Sequence, residues 1–201
     1  MFTGIVDHCG EVISLENIPS GFRIKIKSNF DEFVKGESIA VDGICLTVTD
    51  FDKNYFNCEV SPETLKLTTA NKFKKNYKIN LEKSLKLQDR MGGHMVMGHV
   101  DTQAELIHLD KSGDFVLMRF GKYSAEYNKY ITKKGSISIN GVSLTVNNIQ
   151  NNSQDNYFEV MLIPHTLSRT NLADLQMGDK VNLEIDYFAR YIINYLESQQ
   201  K

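Results

Sequence analysis

IAVDGICLTV (residues 39–48) and ISINGVSLTV (137–146) are one decapeptide written twice. In each, apolar residues alternate with small or polar ones on both sides of a turn pair, Asp42-Gly43 or Asn140-Gly141. That is the pattern of two short strands joined by a tight hairpin. Moving outward, the duplication continues. MFTGIVD (1–7) returns as MVMGHVD (95–101), NYFNCEVSPETL (54–65) as NYFEVMLIPHTL (156–167), and KINLE (78–82) as KVNLE (180–184). The offset is 94 residues at Met1/Met95, 98 at Ile39/Ile137 and 102 at Asn54/Asn156. Such drift fits small insertions in loops, where extra length costs little. The chain therefore reads as two similar domains, 1–94 and 95–186, followed by a tail, 187–201.

Outside the matched decapeptides the periodicity stays strand-like. FRIKIKS (22–28) alternates apolar and polar side chains, and FVLMRFG (115–121) takes its place in the second copy. Many short strands with turn signals between them predict an all-β fold, a small antiparallel barrel or sandwich per copy. Each copy adds one brief helix start, Ser61-Pro62 and Ile163-Pro164, the serine being a good N-cap. Only the tail reads as a long helix. Phe188, Tyr191, Ile192, Tyr195 and Leu196 fall on one stripe. It would be a strut on the second barrel or an oligomerisation helix, and the latter is favoured.

Composition narrows the function classes. The chain has 201 residues, 41% hydrophobic and 24% charged, with formal net charge −2. Neither half is basic enough to expect nucleic acid, and the lysines at 72, 74, 75 and 78 read as a solvated face. No apolar run approaches the ~18 residues of a membrane span. Cys9, Cys45 and Cys58 have no metal-ligand spacing and read as reduced thiols, so a cytoplasmic location is expected. Walker, GxGxxG, HExxH and GxSxG motifs do not occur.

The chemistry lies where the copies differ. His99 matches Ile5, so the fold does not require an imidazole there, and His99 becomes a candidate acid/base. His94, five residues earlier, would point to the opposite face of an extended strand, which argues against a shared metal. Cys45 matches Ser143, with Thr47 and Thr145 two residues on along the same strand face. Lys134 matches Gly36. From the residues alone, the expectation is a two-barrel protein with a duplicated small-molecule site.

Taken in order, MFTGIV, DGICLTV, SPETL, GGHMVMGHVD, KGSISINGVSLTV, IPHTL and NLEID resemble the riboflavin synthase family, α-chain type, over the whole chain. The resemblance implies two tandem six-stranded Greek-key β-barrels and a C-terminal α-helix that assembles a homotrimer. The site would form between barrels of adjacent subunits, and lumazine synthase is implied as a further partner. The implied reaction, the last of riboflavin biosynthesis, is a dismutation. Two molecules of 6,7-dimethyl-8-ribityllumazine exchange a four-carbon unit, giving riboflavin and 5-amino-6-(D-ribitylamino)uracil, with no metal or cofactor. Carried over, first-copy contacts fall on Gly4, Ile5 and Val6; Cys45, Leu46 and Thr47; and Glu59, Val60, Ser61, Pro62, Glu63 and Thr64. Second-copy contacts fall on Gly98, His99 and Val100; Lys134; Ser143, Leu144 and Thr145; and Ile163, Pro164, His165, Thr166, Leu167 and Ser168. His99 would transfer protons, Cys45 and Ser143 would position ring or nucleophile, and Lys134, Asp186 and Phe2 would complete the catalytic set. The competing expectation is a chromophore carrier of the same fold that binds lumazine or flavin without turnover. Joint presence of Cys45, His99, Lys134 and Ser143 favours the enzyme.

Overall fold

The computed structural model describes residues 1–151 and 156–199. The first copy contributes β1 (His8–Ile18), β2 (Gly21–Lys27), β3 (Ser38–Val41), β4 (Ile44–Asp52), β5 (Tyr55–Val60), α1 (Pro62–Leu67) and β6 (Lys78–Lys83). The second repeats the series as β7 (Thr102–Ser112), β8 (Phe115–Gly121), β9 (Ser136–Ile139), β10 (Val142–Asn151), β11 (Asn156–Leu162), α2 (Pro164–Arg169) and β12 (Lys180–Ile185), before α3 (Tyr187–Ser198). Each set closes into a six-stranded antiparallel barrel of the same order, β1-β2-β5-β4-β3-β6 and its counterpart. Closure through β1–β6 and β7–β12 decides barrel over sandwich.

The alternating pattern does what period two requires. Ile24 and Ile26 are buried while Lys25 and Lys27 of the same strand point outward. Phe56, Leu81 and Ile39 fill the first barrel, and Phe120, Phe158 and Leu183 fill the second. Strand β4 slips register between Val48 and Asp50, and β10 slips between Val146 and Asn148. The copies thus share even their irregularities.

The seam between the barrels is polar and nearly two-fold. Asn80 Nδ2 donates to the Asn140 carbonyl and Asn182 Nδ2 to the Asp42 carbonyl, both at 2.9 Å. The Oδ1 of each amide accepts a backbone N–H at 2.7 Å, from Asn171 and from Thr69 respectively. Buried amides that find partners at both oxygen and nitrogen in this way specify one docking geometry. Asp42 breaks the symmetry. Its Oδ1 accepts from the Asn80 N–H and Asn171 Nδ2, but Oδ2 is buried without a partner among the described residues. Burial pushes this carboxyl up to about 7.

α3 is N-capped by Asp186, which accepts from the Phe188 N–H at 2.9 Å. Arg190 pairs with Asp101, and Lys129 with Glu197, so the helix is tied to the second barrel. Its apolar stripe is nonetheless uncovered, with Phe188, Tyr191, Ile192, Tyr195 and Leu196 between 51% and 65% exposed. None of the described helices is long and apolar enough to cross a membrane.

Candidate functional site

The opening segments of the two copies cross. Phe2 and Val96 form an antiparallel bridge, N–H to carbonyl at 2.7 and 3.1 Å. Beyond it, each segment lies on the other copy's barrel. The Cys45 N–H donates to the Gly98 carbonyl at 2.9 Å, and the Ser143 N–H donates to the Gly4 carbonyl at 2.8 Å. Val100 packs on the first core and Val6 on the second. Grouping the expected contacts by copy is therefore corrected. Gly98, His99 and Val100 belong with Cys45, while Gly4, Ile5 and Val6 belong with Ser143. Segment swapping is a tertiary event that strand periodicity does not encode.

On the first barrel, Ile44, Cys45, Glu63, Thr64, Leu67, Thr68, Gly98, His99 and Val100 line a cavity of about 220 Å³. Ser61 Oγ accepts the Thr64 N–H at 3.2 Å, fixing the start of α1 beneath it. Thr47 is exposed and Leu46 buried, so Cys45 and Thr47 do share the outer face of β4. Two expected contacts turn elsewhere. Glu59 is held by Arg23 at 2.8 Å on the outer surface, and Val60 lies in the core.

On the second barrel, Ser143 Oγ meets His94 Nδ1 at 2.7 Å. The approach depends on Gly93, where a Cβ would stand 2.1 Å from the Thr3 carbonyl and 2.8 Å from Ser143 Cβ. Burial holds the imidazole below the usual histidine range, against the pull of Asp186. Its Nε2 is buried with no partner among the described residues. His94 stands outside the set of site residues expected from the sequence, although the two glycines before it signal a close backbone approach. His94 and His99 thus serve different barrels. Thr145 is exposed beside Lys134, whose N–H bonds the Val146 carbonyl at 2.8 Å from a left-handed turn. Leu144 is buried in the second core, and Leu167 packs against it. Ile163 and His165 are exposed at the start of α2, and Ser168 Oγ donates to the His165 carbonyl at 2.9 Å. Phe2 is sealed with Ala40 and Val96 between the barrels, so it holds the crossing together rather than lining a cavity.

Both halves match the lumazine binding domain, at residues 3–84 and 97–186. The chain belongs to the riboflavin synthase family. It is 40% identical to the riboflavin synthase of Brucella abortus (strain 2308), over the full length of both chains. With that of Bacillus subtilis (strain 168) it shares 38% identity, covering 98% of this chain and 90% of the relative. Among solved structures, LumP complexed with riboflavin has the same fold, with a TM-score of 0.81 and 23% identity over 92% of this chain and 99% of that one. Membership in the family, with its lumazine binding domain matched twice, accounts for the double barrel.

Proposed function

We propose that this member of the family binds one 6,7-dimethyl-8-ribityllumazine at each kind of pocket and transfers a four-carbon unit between them, yielding riboflavin and 5-amino-6-(D-ribitylamino)uracil. One observation carries the reading. Two corresponding places on the same backbone frame present different acid–base groups, Cys45 with His99 and Glu63 around the cavity of the first barrel, and Ser143 with His94 on the second. Identical substrates thereby receive different roles. One ring must lose a proton from its 7-methyl group, and the other must be attacked at C7. Holding the two rings together removes much of the entropic barrier.

His94 is suited to accept the Ser143 hydroxyl proton. Burial keeps its imidazole neutral near pH 7, and a proton on Nε2 leaves Nδ1 free to accept. His99, exposed at the mouth of the Cys45 cavity, is placed to act as the acid–base group of that site. α2 starts at Ile163 without a side-chain cap, leaving its first amides for a pyrimidinedione carbonyl.

The apolar stripe of α3 supports assembly. Five large apolar residues on one uncovered face fit burial against further copies of the chain in a homotrimer. Three free cysteines support a reducing, cytoplasmic setting.

The test is incubation of the purified protein with the lumazine alone, followed by absorbance. Riboflavin at half the molar amount of lumazine consumed is expected. Binding without product would point to a chromophore carrier, and no binding would end the reading.

A further inference from the structure

The repeated NLE of KINLE and KVNLE places a second pair of groups whose work neither the fold nor the pockets explain. Its asparagines form the seam. Its glutamates, Glu82 and Glu184, are buried side chains at the ends of β6 and β12. Glu184 Oε1 accepts the Met97 N–H at 2.6 Å, and Oε2 accepts the Gly98 N–H at 3.0 Å. Glu82 does the same for Thr3, at 2.7 Å, and for Gly4, at 3.0 Å. Each carboxylate therefore grips consecutive amides of a crossing segment.

The consequence differs between halves. The peptide gripped by Glu184 leads directly into His99, whereas the one gripped by Glu82 leads into Ile5. On its other side Gly98 is fixed to the Cys45 N–H at 2.9 Å. The Met97–Gly98 unit is thus held between a carboxylate of the second barrel and a strand of the first. The imidazole that follows it has little freedom in where it meets the cavity. A buried carboxylate is a costly device for holding two amides if packing alone would do.

We propose that Glu184 is a positioning residue: its carboxylate, rooted in the second barrel, sets the place of His99 over the Cys45 cavity of the first. The role rests on the proposed function of His99 in proton transfer. Glutamine at 184 keeps the size but presents an NH₂ to one of the two N–H groups, so the grip is lost on one side. Burial already holds this carboxyl up to about 7, with the amides of Met97, Gly98 and His99 working against the shift. The grip is therefore strongest above that pH.

The experiment is a double-mutant cycle in the assembled protein with Glu184→Gln and His99→Ala, read as kcat for riboflavin formation. Glu184→Gln should lower kcat about 10- to 100-fold, as misplacement of an acid–base group does. In the His99→Ala background it should change kcat less than about twofold, because the group it positions is gone. Losses that multiply across the cycle would overturn the proposal. Glu184→Asp, which keeps the charge and shortens the reach, runs the same cycle should the glutamine variant not fold. A second readout is independent of turnover. The His99 imidazole resonances, assigned with His99→Ala, should move in Glu184→Gln while those of His8 and His108 stay. Unmoved His99 resonances would reject the clamp even if the wild type made no riboflavin, an outcome that would instead count against the reaction.

Discussion

Gly98 and Cys45 touch across the two barrels so closely that a Cβ on Gly98 would lie 2.5 Å from that of Cys45. Gly98 also sits at φ +76°, where a side chain is strained whatever the space around it. Gly4 and Ser143 repeat the contact at 2.6 Å. These pairs set how each crossing segment lies against Cys45 or Ser143 on the opposite barrel.

Gly98→Ala should therefore cost about 2 kcal/mol or more, from left-handed strain plus the backbone shift needed to clear Cys45. Urea unfolding would measure it. A variant as stable as wild type would mean that the segment relaxes freely and that the contact does not define the pocket.

Removing either histidine should lower turnover while the fold stays intact. General acid–base groups contribute about 10²- to 10⁴-fold, so His94→Ala and His99→Ala should each lower kcat by at least about 10²-fold with little change in melting temperature. For His94→Ala, Ser143 loses the imidazole partner now 2.7 Å away. Wild-type kcat in either variant would remove that residue from the mechanism.

Asn182→Ala tests the seam. The substitution leaves the Thr69 N–H and the Asp42 carbonyl buried without partners. At about 1–3 kcal/mol for each unsatisfied group, a loss of roughly 3 kcal/mol in unfolding free energy is expected. A loss below about 1 kcal/mol would show that the barrels dock by apolar contact instead.

Asp42 should make stability depend on pH with a definite sign. Burial raises its folded pKa to about 7, well above an ordinary aspartate, so the unfolded chain loses the proton first as pH rises. Its contribution is complete below about pH 4 and is lost as pH climbs through 7. Glu82, pushed up to about 6, and Glu184, to about 7, act in the same direction. Asp42→Asn, which copies Asn140, should gain stability relative to wild type between pH 5 and pH 8. A difference that does not change with pH would contradict the buried-carboxyl account.

Ile192→Asp places a charge in the middle of the uncovered stripe of α3. Sedimentation should then show a smaller species than wild type, with the barrels still folded by circular dichroism. An unchanged assembly would mean that the stripe is not the subunit contact.

The amino-acid sequence by itself determined the duplication, the hairpins at Asp42-Gly43 and Asn140-Gly141, the helix starts at Pro62 and Pro164, and the apolar stripe of the tail. All are local patterns with a two-residue or helical period, and local patterns survive in one dimension. β1 and β7 were not legible, because polar residues and a bulge in each (between Val12 and Ser14, and between Leu106 and His108) interrupt the alternation. Tertiary structure alone decided which segment serves which barrel. The Phe2–Val96 crossing sends His99 to Cys45 and brings Gly4 to Ser143, while Gly93 lets His94 reach Ser143. Those pairings join residues 49 to 139 positions apart through two buried glutamates and a seam of paired asparagines. Nothing in the spacing of residues along the chain distinguishes crossing from its alternative, and only the packing of one barrel against the other does.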